Sequence, residues 1–103
     1  MEYRRLGRTD EKVSVIGIGT WRIGGGMTPD YSHDDEAVEA IKYAISLGMT
    51  HIDTAEIYGA GHSEEIVGRA IKEFEREQLF IATKVWHTNL KYDDVLNACK
   101  NSL

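Results

Sequence analysis

Apolar residues recur at helical spacing in three segments of the chain, and short apolar runs lie between these segments. Residues 35–47 place Val38, Ile41 and Ile45 on one face, which predicts an amphipathic helix. A second helix is predicted after Ser63 and a third from about Tyr92. Their apolar faces are predicted to consist of Ile66, Val67, Ala70, Ile71 and Phe74 in the second helix, and of Val95, Leu96, Cys99 and Leu103 in the third.

Polar and glycine residues mark the ends of the first two predicted helices. Ser32, followed three residues later by Asp35, resembles a capping box at the start of the first helix. Gly48 follows its last turn, where a left-handed backbone conformation favours glycine. Ser63 is the predicted N-cap of the second helix, with acidic residues in the first turn, where the helix dipole favours negative charge.

The apolar runs between the helices are short and rich in β-branched residues, which is typical of strands. We predict strands at residues 13–19, 49–53 and 79–85. A short arm at residues 3–6 is predicted to pair with the first of them as a hairpin, across a polar turn at residues 7–10. Residues 21–31 contain three consecutive glycines and the one proline of the chain, which favours an irregular loop.

Strands and helices alternate along the chain, which predicts an α/β fold with right-handed βαβ units and a parallel sheet. Two architectures fit this order. One is an open doubly wound sheet, and the other is the N-terminal part of a (β/α)8 barrel, as a β-hairpin plus about three βα units. A complete barrel needs about 250 residues, so a chain of 103 residues would supply well under half of one.

The composition, with 42% hydrophobic and 28% charged residues, is typical of a soluble globular protein. A net charge of −5 does not provide the basic surface that nucleic-acid binding needs, so no nucleic-acid partner is expected. No apolar run is long enough to span a membrane, and no signal-peptide core follows the N-terminus. No membrane partner is therefore expected. The single cysteine, Cys99, cannot form an internal disulfide, and a cytoplasmic protein needs none, so we expect a cytoplasmic location.

The glycine-rich segment at residues 17–26 does not fit a dinucleotide-binding fingerprint. Arg22 stands where the third glycine of G-x-G-x-x-G belongs, and the loop is too long before the next helix. A P-loop is excluded as well, because no Gly-Lys-Ser/Thr sequence follows. We interpret the segment as a flexible loop, although its place after a parallel strand is where binding sites form.

Asp53, Tyr58 and Lys84 lie at or just beyond the ends of two consecutive predicted strands. Because consecutive parallel strands are usually neighbours, we expect these side chains to meet at one edge of the sheet. A lysine ammonium stabilises a neighbouring phenolate, so the tyrosine could pass a proton to a developing alkoxide while the carboxylate holds the lysine. The alternative is an ordinary Asp–Lys ion pair at two strand ends, with Tyr58 packed over it.

Aromatic residues and histidines flank the same strand ends. Trp21 and Trp86 each follow a predicted strand, where they could line a small-molecule pocket or simply pack the loops. His87 lies beside Trp86 and is a candidate for substrate contact. The other histidines are interpreted as an interior residue (His51), a loop or pre-cap residue (His62) and a solvated residue (His33). No spacing among the histidines, Cys99 and the carboxylates fits a metal site, so no metal is expected.

Three segments resemble the N-terminal part of the aldo-keto reductase family, namely YRRLGRTDEKVSVIGIGTW, HIDTAEIYGAGHSEEIVGRAIK and LFIATKVW. The pattern IDTA-x-x-YG-x-G-x-SE-x-x-G is highly specific, and the resemblance covers essentially the whole chain. It implies a (β/α)8 barrel with a bottom hairpin, and reduction of carbonyl compounds with NADPH, less often NADH, without a metal. Residues 1–103 would then be an incomplete barrel domain that stops before the fourth strand.

The resemblance also implies a role for each candidate residue. Tyr58 is expected to donate a proton to the carbonyl of a small substrate, and Lys84 and Asp53 to tune and position it. The residues expected at the cofactor are Gly19, Thr20, Trp21 and Asp53. Those expected in the substrate pocket are Trp21, Tyr58, Trp86 and His87.

The family's fourth catalytic residue, a histidine at the end of the fourth strand, has no counterpart in this chain. The resemblance therefore implies an N-terminal fragment that is inactive alone and that self-associates or pairs with a complementing C-terminal fragment. Two alternatives stay open. One is a non-catalytic binding subunit similar to the potassium-channel β-subunits, which share the hairpin and the GTW segment. The other is a self-assembling half-barrel that only binds small molecules.

Overall fold

The N-terminal hairpin is separate from the parallel sheet. The computed structural model describes residues 1–103, in which β1 (Tyr3–Arg5) and β2 (Lys12–Ser14) pair antiparallel with Tyr3 opposite Ser14. The predicted hairpin is therefore confirmed. The Tyr3 hydroxyl donates a hydrogen bond to the Gly48 carbonyl at 3.1 Å, which fastens the hairpin to the residues that follow the first helix.

Three short parallel strands form the central sheet in the order β3–β4–β5. They are β3 (Ile18–Gly19), β4 (His51–Asp53) and β5 (Phe80–Ala82). In the central strand, Ile52 lies opposite Ile18 on one side and opposite Ile81 on the other. The predicted alternation of strands and helices and the predicted parallel pairing are both confirmed. Each strand is shorter than the apolar run that predicted it.

The continuous strand predicted at residues 13–19 is wrong, because the chain bends at residues 15–17 between β2 and β3. Ser14 is buried, and its hydroxyl donates to the Ile16 carbonyl at 2.8 Å and accepts from the His51 amide at 3.2 Å. A serine hydroxyl that bonds to nearby backbone offers the chain an alternative to the sheet ladder. One apolar run thus contributes first to the hairpin and then to the central sheet.

Helices α1 (Asp34–Ser46) and α2 (His62–Ile71) pack against each other and enclose the core together with β4. The buried core comprises Val38, Ile41, Ile45, Ile52, Ile66, Val67, Ala70 and Leu79. The predicted apolar face of α1 is confirmed, as is the part of the α2 face formed by Ile66, Val67 and Ala70. Of the other two residues predicted for α2, Ile71 and Phe74 are only partly buried, and Phe74 lies beyond the end of the helix. No helix of the chain is long and apolar enough to cross a bilayer.

Neither predicted serine caps its helix. Ser32 instead uses its amide and its hydroxyl to bond Asp30, at 2.9 and 2.5 Å, and α1 begins without a side-chain cap. The N-cap of α2 is Gly61, whose φ of +98° favours glycine, and Ser63 is buried in the first turn. Gly48 follows α1 with a φ of +96°, as predicted.

Helix α3 (Tyr92–Ser102) begins where it was predicted, but its predicted apolar face is wrong. Ala98 is the buried residue of this helix, whereas Leu96 is 45% exposed and Leu103 is 100% exposed. The helix meets the rest of the chain mainly through the 3-10 turn at His87–Asn89, and a groove of about 980 Å³ lies between it and α2. Apolar periodicity predicts the face that can be buried, but not whether a neighbouring element covers it.

The glycine-rich loop after β3 lies directly against the loop after β4. The Gly59 amide donates to the Gly26 carbonyl at 2.7 Å, and a Cβ on Gly59 would lie only 2.4 Å from the Gly24 carbonyl oxygen. No other residue fits at this approach, because Gly59 also has a φ of +58°. The contact ties the irregular loop to the segment that begins with Tyr58.

Candidate active site

Asp53, Tyr58 and Lys84 converge at the C-terminal edge of the central sheet. Lys84 Nζ lies 2.8 Å from Asp53 Oδ2 and 3.3 Å from Tyr58 Oη. The parallel register accounts for this meeting, because Asp53 is opposite Ala82 and Lys84 follows two residues later. The structure thus brings together the three side chains for which the sequence suggested proton-transfer chemistry.

Lys84 is held as a cation at this site. Besides Asp53 and Tyr58, its ammonium donates to the Thr54 carbonyl at 2.7 Å. Burial by itself lowers the pKa of Lys84, but the hydrogen bonds to Asp53 and Tyr58 outweigh burial and raise it above its ordinary value. A fixed positive charge therefore lies beside the Tyr58 oxygen and stabilises negative charge there.

The Tyr58 ring is positioned by two neighbours. The Trp21 ring packs against it with centroids 5.0 Å apart and an angle of 58° between the planes. Lys84 Nζ also lies 5.0 Å from the centroid of the Tyr58 ring. Tilted aromatic packing of this kind adds about 0.5–1.5 kcal/mol beyond simple burial and favours this ring orientation.

Three buried hydroxyl groups behind the site form a network that the sequence reasoning missed. Ser63 Oγ lies 2.9 Å from Thr20 Oγ1 and 3.3 Å from Thr54 Oγ1. All three residues are at most 2% exposed. Their positions in the sequence could have indicated this network, since Thr20 and Thr54 directly follow strand ends and Ser63 lies at the start of α2. The network bonds β3, β4 and α2 to one another immediately beside Asp53.

The residues expected at a cofactor differ in their access to solvent. Gly19 faces open space, since a Cβ there would meet no atom within 4 Å, and Trp21 is 46% exposed. Thr20 is fully buried, and both its amide and its hydroxyl bond to the Asp53 carbonyl, at 3.0 and 3.1 Å. Gly19 and Trp21 are therefore accessible to a bound molecule. Thr20 is not accessible, and it supports the site through its hydrogen bonds to the Asp53 main chain.

A cavity of about 280 Å³ opens beside Tyr58 and Lys84. It is lined by Ala55, Ile57, Tyr58, Lys84, Val85, Trp86 and His87. Trp86 and His87 pack together on one wall, with ring centroids 4.5 Å apart. Trp21 does not line this cavity, although its ring packs against Tyr58. An apolar cavity with a few polar groups at one end suits a small organic molecule.

The prediction that His62 is a loop or pre-cap residue is wrong. It is the first residue of α2, and its side chain is only 6% exposed. Nε2 lies 2.8 and 2.9 Å from the two carboxylate oxygens of Asp34, and Nδ1 lies 3.1 Å from Glu65 Oε2. Burial by itself lowers the pKa of His62, but the bonds to the two carboxylates raise it above its ordinary value of 6.5. As an imidazolium it joins the starts of α1 and α2.

The remaining histidines lie away from the site. His51 is half-buried and packs edge-on against Phe80, with ring centroids 5.6 Å apart. His33 is exposed, and its Nδ1 lies 3.7 Å from Glu36 Oε2. No group of three or more histidine, cysteine or acidic side chains is arranged to hold a metal ion.

Comparison with known proteins decides between the open sheet and the barrel. The model of the aldo/keto reductase family matches residues 15–103, which is most of the chain. The chain belongs to the aldo-keto reductase family. The family's fold is the (β/α)8 barrel, and this chain supplies a hairpin and three βα units from its N-terminal part.

Individual aldo-keto reductases resemble the chain over nearly all of its length. The aldo-keto reductase YhdN of Bacillus subtilis is 47% identical over 95 residues, and the methylglyoxal reductase YeaE of Escherichia coli is 38% identical over 94 residues. These matches cover 86% and 91% of this chain, but only 28% and 31% of the relatives. The chain therefore spans about a third or less of the length of these curated relatives.

Solved aldo-keto reductase structures show the same backbone arrangement. A thermostable aldo-keto reductase, crystallised with the inhibitor epalrestat, superposes with a TM-score of 0.97 at 58% identity. That match covers 100% of this chain and 38% of the other. The aldo-keto reductase of Klebsiella pneumoniae, crystallised with NADPH, has a TM-score of 0.80 at 36% identity, over 89% of this chain and 31% of its own.

Proposed function

We propose that this chain is the N-terminal part of an NADPH-dependent reductase that converts an aldehyde or a ketone to an alcohol. The observation that carries the proposal is the pair of contacts made by Lys84 Nζ, 2.8 Å to Asp53 Oδ2 and 3.3 Å to Tyr58 Oη. A phenol beside a fixed ammonium is a better proton donor than an isolated one. Tyr58 also lines the cavity that would receive the carbonyl group.

Each residue of the trio has a distinct role in the proposed reaction. Tyr58 donates its hydroxyl proton to the carbonyl oxygen as negative charge develops there. Lys84 stabilises the phenolate that is left, and Asp53 keeps Lys84 charged and directed at the tyrosine. A bound nicotinamide cofactor supplies the hydride to the carbonyl carbon. The proposed step needs no metal, because Lys84 provides the positive charge.

The residues in front of the site fit a nicotinamide ring. Gly19 leaves open space at the end of β3, and the exposed Trp21 ring offers a flat apolar surface beside Tyr58. Relatives crystallised with NADPH support this cofactor, with NADH as the alternative. Trp86 and His87, on the wall of the neighbouring cavity, would contact a small carbonyl substrate.

The remainder of a barrel is the proposed partner of this chain. β3 and β5 each have one unpaired edge, and Val15 and Ile16 beside β3 are 46% and 54% exposed. Unpaired edges with apolar neighbours pair readily with further strands. Further βα units would cover these edges, either in the same polypeptide or as a complementing C-terminal fragment. They would also supply the fourth catalytic residue, since no histidine of this chain hydrogen bonds to Tyr58 or Lys84.

The test uses a completed barrel, in which residues 1–103 are joined to the segment that follows the matching region of the thermostable relative. With a small aldehyde, this protein should consume NADPH and form the alcohol in equal amount, as followed by NADPH absorbance and chromatography. The relative's segment alone is the control and should show no turnover. NADPH binding without turnover of any aldehyde or ketone would favour the binding-subunit alternative, and no NADPH binding would reject the proposal.

A further inference from the structure

Glu56 and Asn89 connect the two loops that enclose the cavity beside Tyr58. Asn89 Nδ2 donates a hydrogen bond to Glu56 Oε1 at 2.5 Å, across 33 residues of sequence. Glu56 lies in the loop after β4, two residues before Tyr58. Asn89 ends the 3-10 turn that directly follows Trp86. The two side chains line the neighbouring groove between α2 and α3, and their bond links the segment that carries the proton donor to the segment that carries Trp86.

Both partners are also anchored through their main chains. The Glu56 amide donates to the Lys84 carbonyl at 3.1 Å, so its backbone is fixed to the segment that follows β5. The Asn89 amide donates to the Trp86 carbonyl at 2.9 Å, which closes the turn. Because the backbone of each residue is hydrogen bonded, the bond between the two side chains fixes the Trp86 turn relative to the Tyr58 loop.

The chemistry of Glu56 indicates that packing alone does not explain this residue. Its second oxygen, Oε2, is buried and has no hydrogen-bond partner. A buried carboxylate oxygen without a donor costs free energy, and an apolar side chain would avoid that cost. The bond to Asn89 is what a glutamate provides here and an apolar residue does not.

We propose that Glu56 and Asn89 are positioning residues that set the separation between Tyr58 and Trp86, and thereby select carbonyl substrates by size. This inference rests on the proposed function, since it assigns the cavity between these loops to the substrate. A bulky aldehyde needs the Trp86 wall in a fixed place, whereas a small aldehyde makes few contacts with it. The pair acts through the loops and does not touch the reacting atoms.

The decisive variant is Asn89→Asp in the completed barrel. It keeps the size and shape of the side chain but places a second carboxylate against Glu56, so the two repel and the loops separate. Adding Glu56→Gln restores a hydrogen bond of reversed direction, because the glutamine amide donates to the new carboxylate. Glu75→Ala, at an exposed position away from the cavity, is the control.

The readout is the ratio of kcat/KM for benzaldehyde to that for propionaldehyde. In Asn89→Asp we expect this ratio to fall about tenfold, mainly through the KM for benzaldehyde, since a misplaced wall can cost up to about a hundredfold. The Kd for NADPH should stay at the parent value. The double variant with Glu56→Gln and Asn89→Asp should recover most of the parent's ratio. Glu75→Ala should have the same ratio as the parent. A merely structural role would lower stability without changing the preference for aldehyde size.

A second readout does not depend on turnover. With Trp21→Phe as background, Trp86 is the one tryptophan contributed by this chain, and its quenching by acrylamide reports the mobility of the wall. The tryptophans of the relative's segment that is joined to this chain are replaced by phenylalanine, so that Trp86 is the single tryptophan of the barrel. Quenching of Trp86 should rise in Asn89→Asp and should return to the parent value in the double variant. If a barrel binds no NADPH or reduces no aldehyde, the proposed function fails, and this measurement still tests the pair.

The inference is overturned if Asn89→Asp leaves the aldehyde preference unchanged, and also if it leaves the quenching unchanged. It is equally overturned if the double variant folds but restores neither. Should Asn89→Asp not fold, Asn89→Ala replaces it, because it removes the hydrogen bond without adding charge. An unchanged preference and unchanged quenching in that variant reject the inference as well.

Discussion

Ser63 Oγ lies 2.9 Å from Thr20 Oγ1, although 43 residues separate them in the sequence. The contact joins the first turn of α2 to the end of β3, and Thr20 in turn donates to the Asp53 carbonyl. Two fully buried hydroxyls therefore brace the main chain that presents the Asp53 carboxylate to Lys84. The framework of the site is polar, even though the surrounding core is aliphatic.

Ser63→Ala in the completed barrel should lower the free energy of unfolding by about 1–3 kcal/mol, because it leaves the buried Thr54 hydroxyl without its hydrogen-bond partner. Urea unfolding followed by circular dichroism measures this change. Ser46→Ala is the matched control, since that hydroxyl is exposed and bonds only to its own helix. Equal losses in the two variants would contradict the bracing role of the network.

Tyr58→Phe should abolish most turnover while leaving the Kd for NADPH nearly unchanged, because the ring stays and the proton donor is lost. General acid catalysis contributes roughly 10²–10⁴ in rate, so kcat should fall by that factor. Steady-state kinetics and a fluorescence titration with NADPH provide the two values. Tyr43→Phe, at an exposed position on α1, should behave like the parent. Parent-level turnover in Tyr58→Phe would remove its proposed role.

Lys84→Met should also lower kcat and should move the pH optimum, because the charge that stabilises a phenolate at Tyr58 is gone. A pH–rate profile with a single aldehyde reveals both effects. Lys42→Met is the charge-matched control, since Lys42 pairs with Glu39 and Glu73 outside the site. The role of Lys84 would be refuted by a variant with the parent's pH profile and rate.

The ion pairs of His62 should make stability depend on pH. The pKa of His62 in the folded protein lies above its ordinary value of 6.5, so the folded state binds the proton more tightly than the unfolded state. The stabilisation is therefore fully present below pH 6.5 and is lost as the pH rises through the higher folded pKa. Unfolding free energies measured across this range should show the loss in the parent and in His33→Gln, but not in His62→Leu. A parent curve identical to that of His62→Leu would contradict this assignment.

Residues 1–103 alone should neither reduce aldehydes nor bind NADPH tightly, and they should self-associate. The reason is that β3 and β5 keep unpaired edges, with apolar side chains exposed beside β3. Light scattering gives the mass in solution, and quenching of the Trp21 and Trp86 fluorescence follows NADPH. Adding the relative's C-terminal segment as a separate chain should reduce the mass to that of one barrel. A monomer with micromolar NADPH affinity and aldehyde turnover would contradict the expectation.

Topology made the central part of the site predictable from sequence. Strand–helix alternation implies adjacent parallel strands, and Asp53 and Lys84 follow two consecutive ones, so their meeting needed no detailed model. The same reasoning applied to α1 and α2, whose apolar faces match the observed core. These features depend on periodicity and order along the chain, which a single sequence contains.

Features that depend on distant partners could not be predicted in this way. The bend after Ser14 depends on a bond to the His51 amide, and the burial of His62 depends on Asp34, 28 residues earlier in the chain. Nothing in the local sequence around either residue carries that information. The exposure of Leu96 on α3 has a similar cause, since it depends on which element lies beside that helix.

The short spacing of the trio has a consequence for the order of folding. Lys84 lies 31 residues from Asp53 and 26 from Tyr58, so only brief segments must close to assemble all three side chains. Closing short loops costs little chain entropy, and contacts of low sequence separation form early. On a ribosome, the trio can assemble once the segment through Lys84 has emerged, with no later strand required. The three side chains therefore belong to one local unit of the chain, and the direction of synthesis brings them together before any later strand is made.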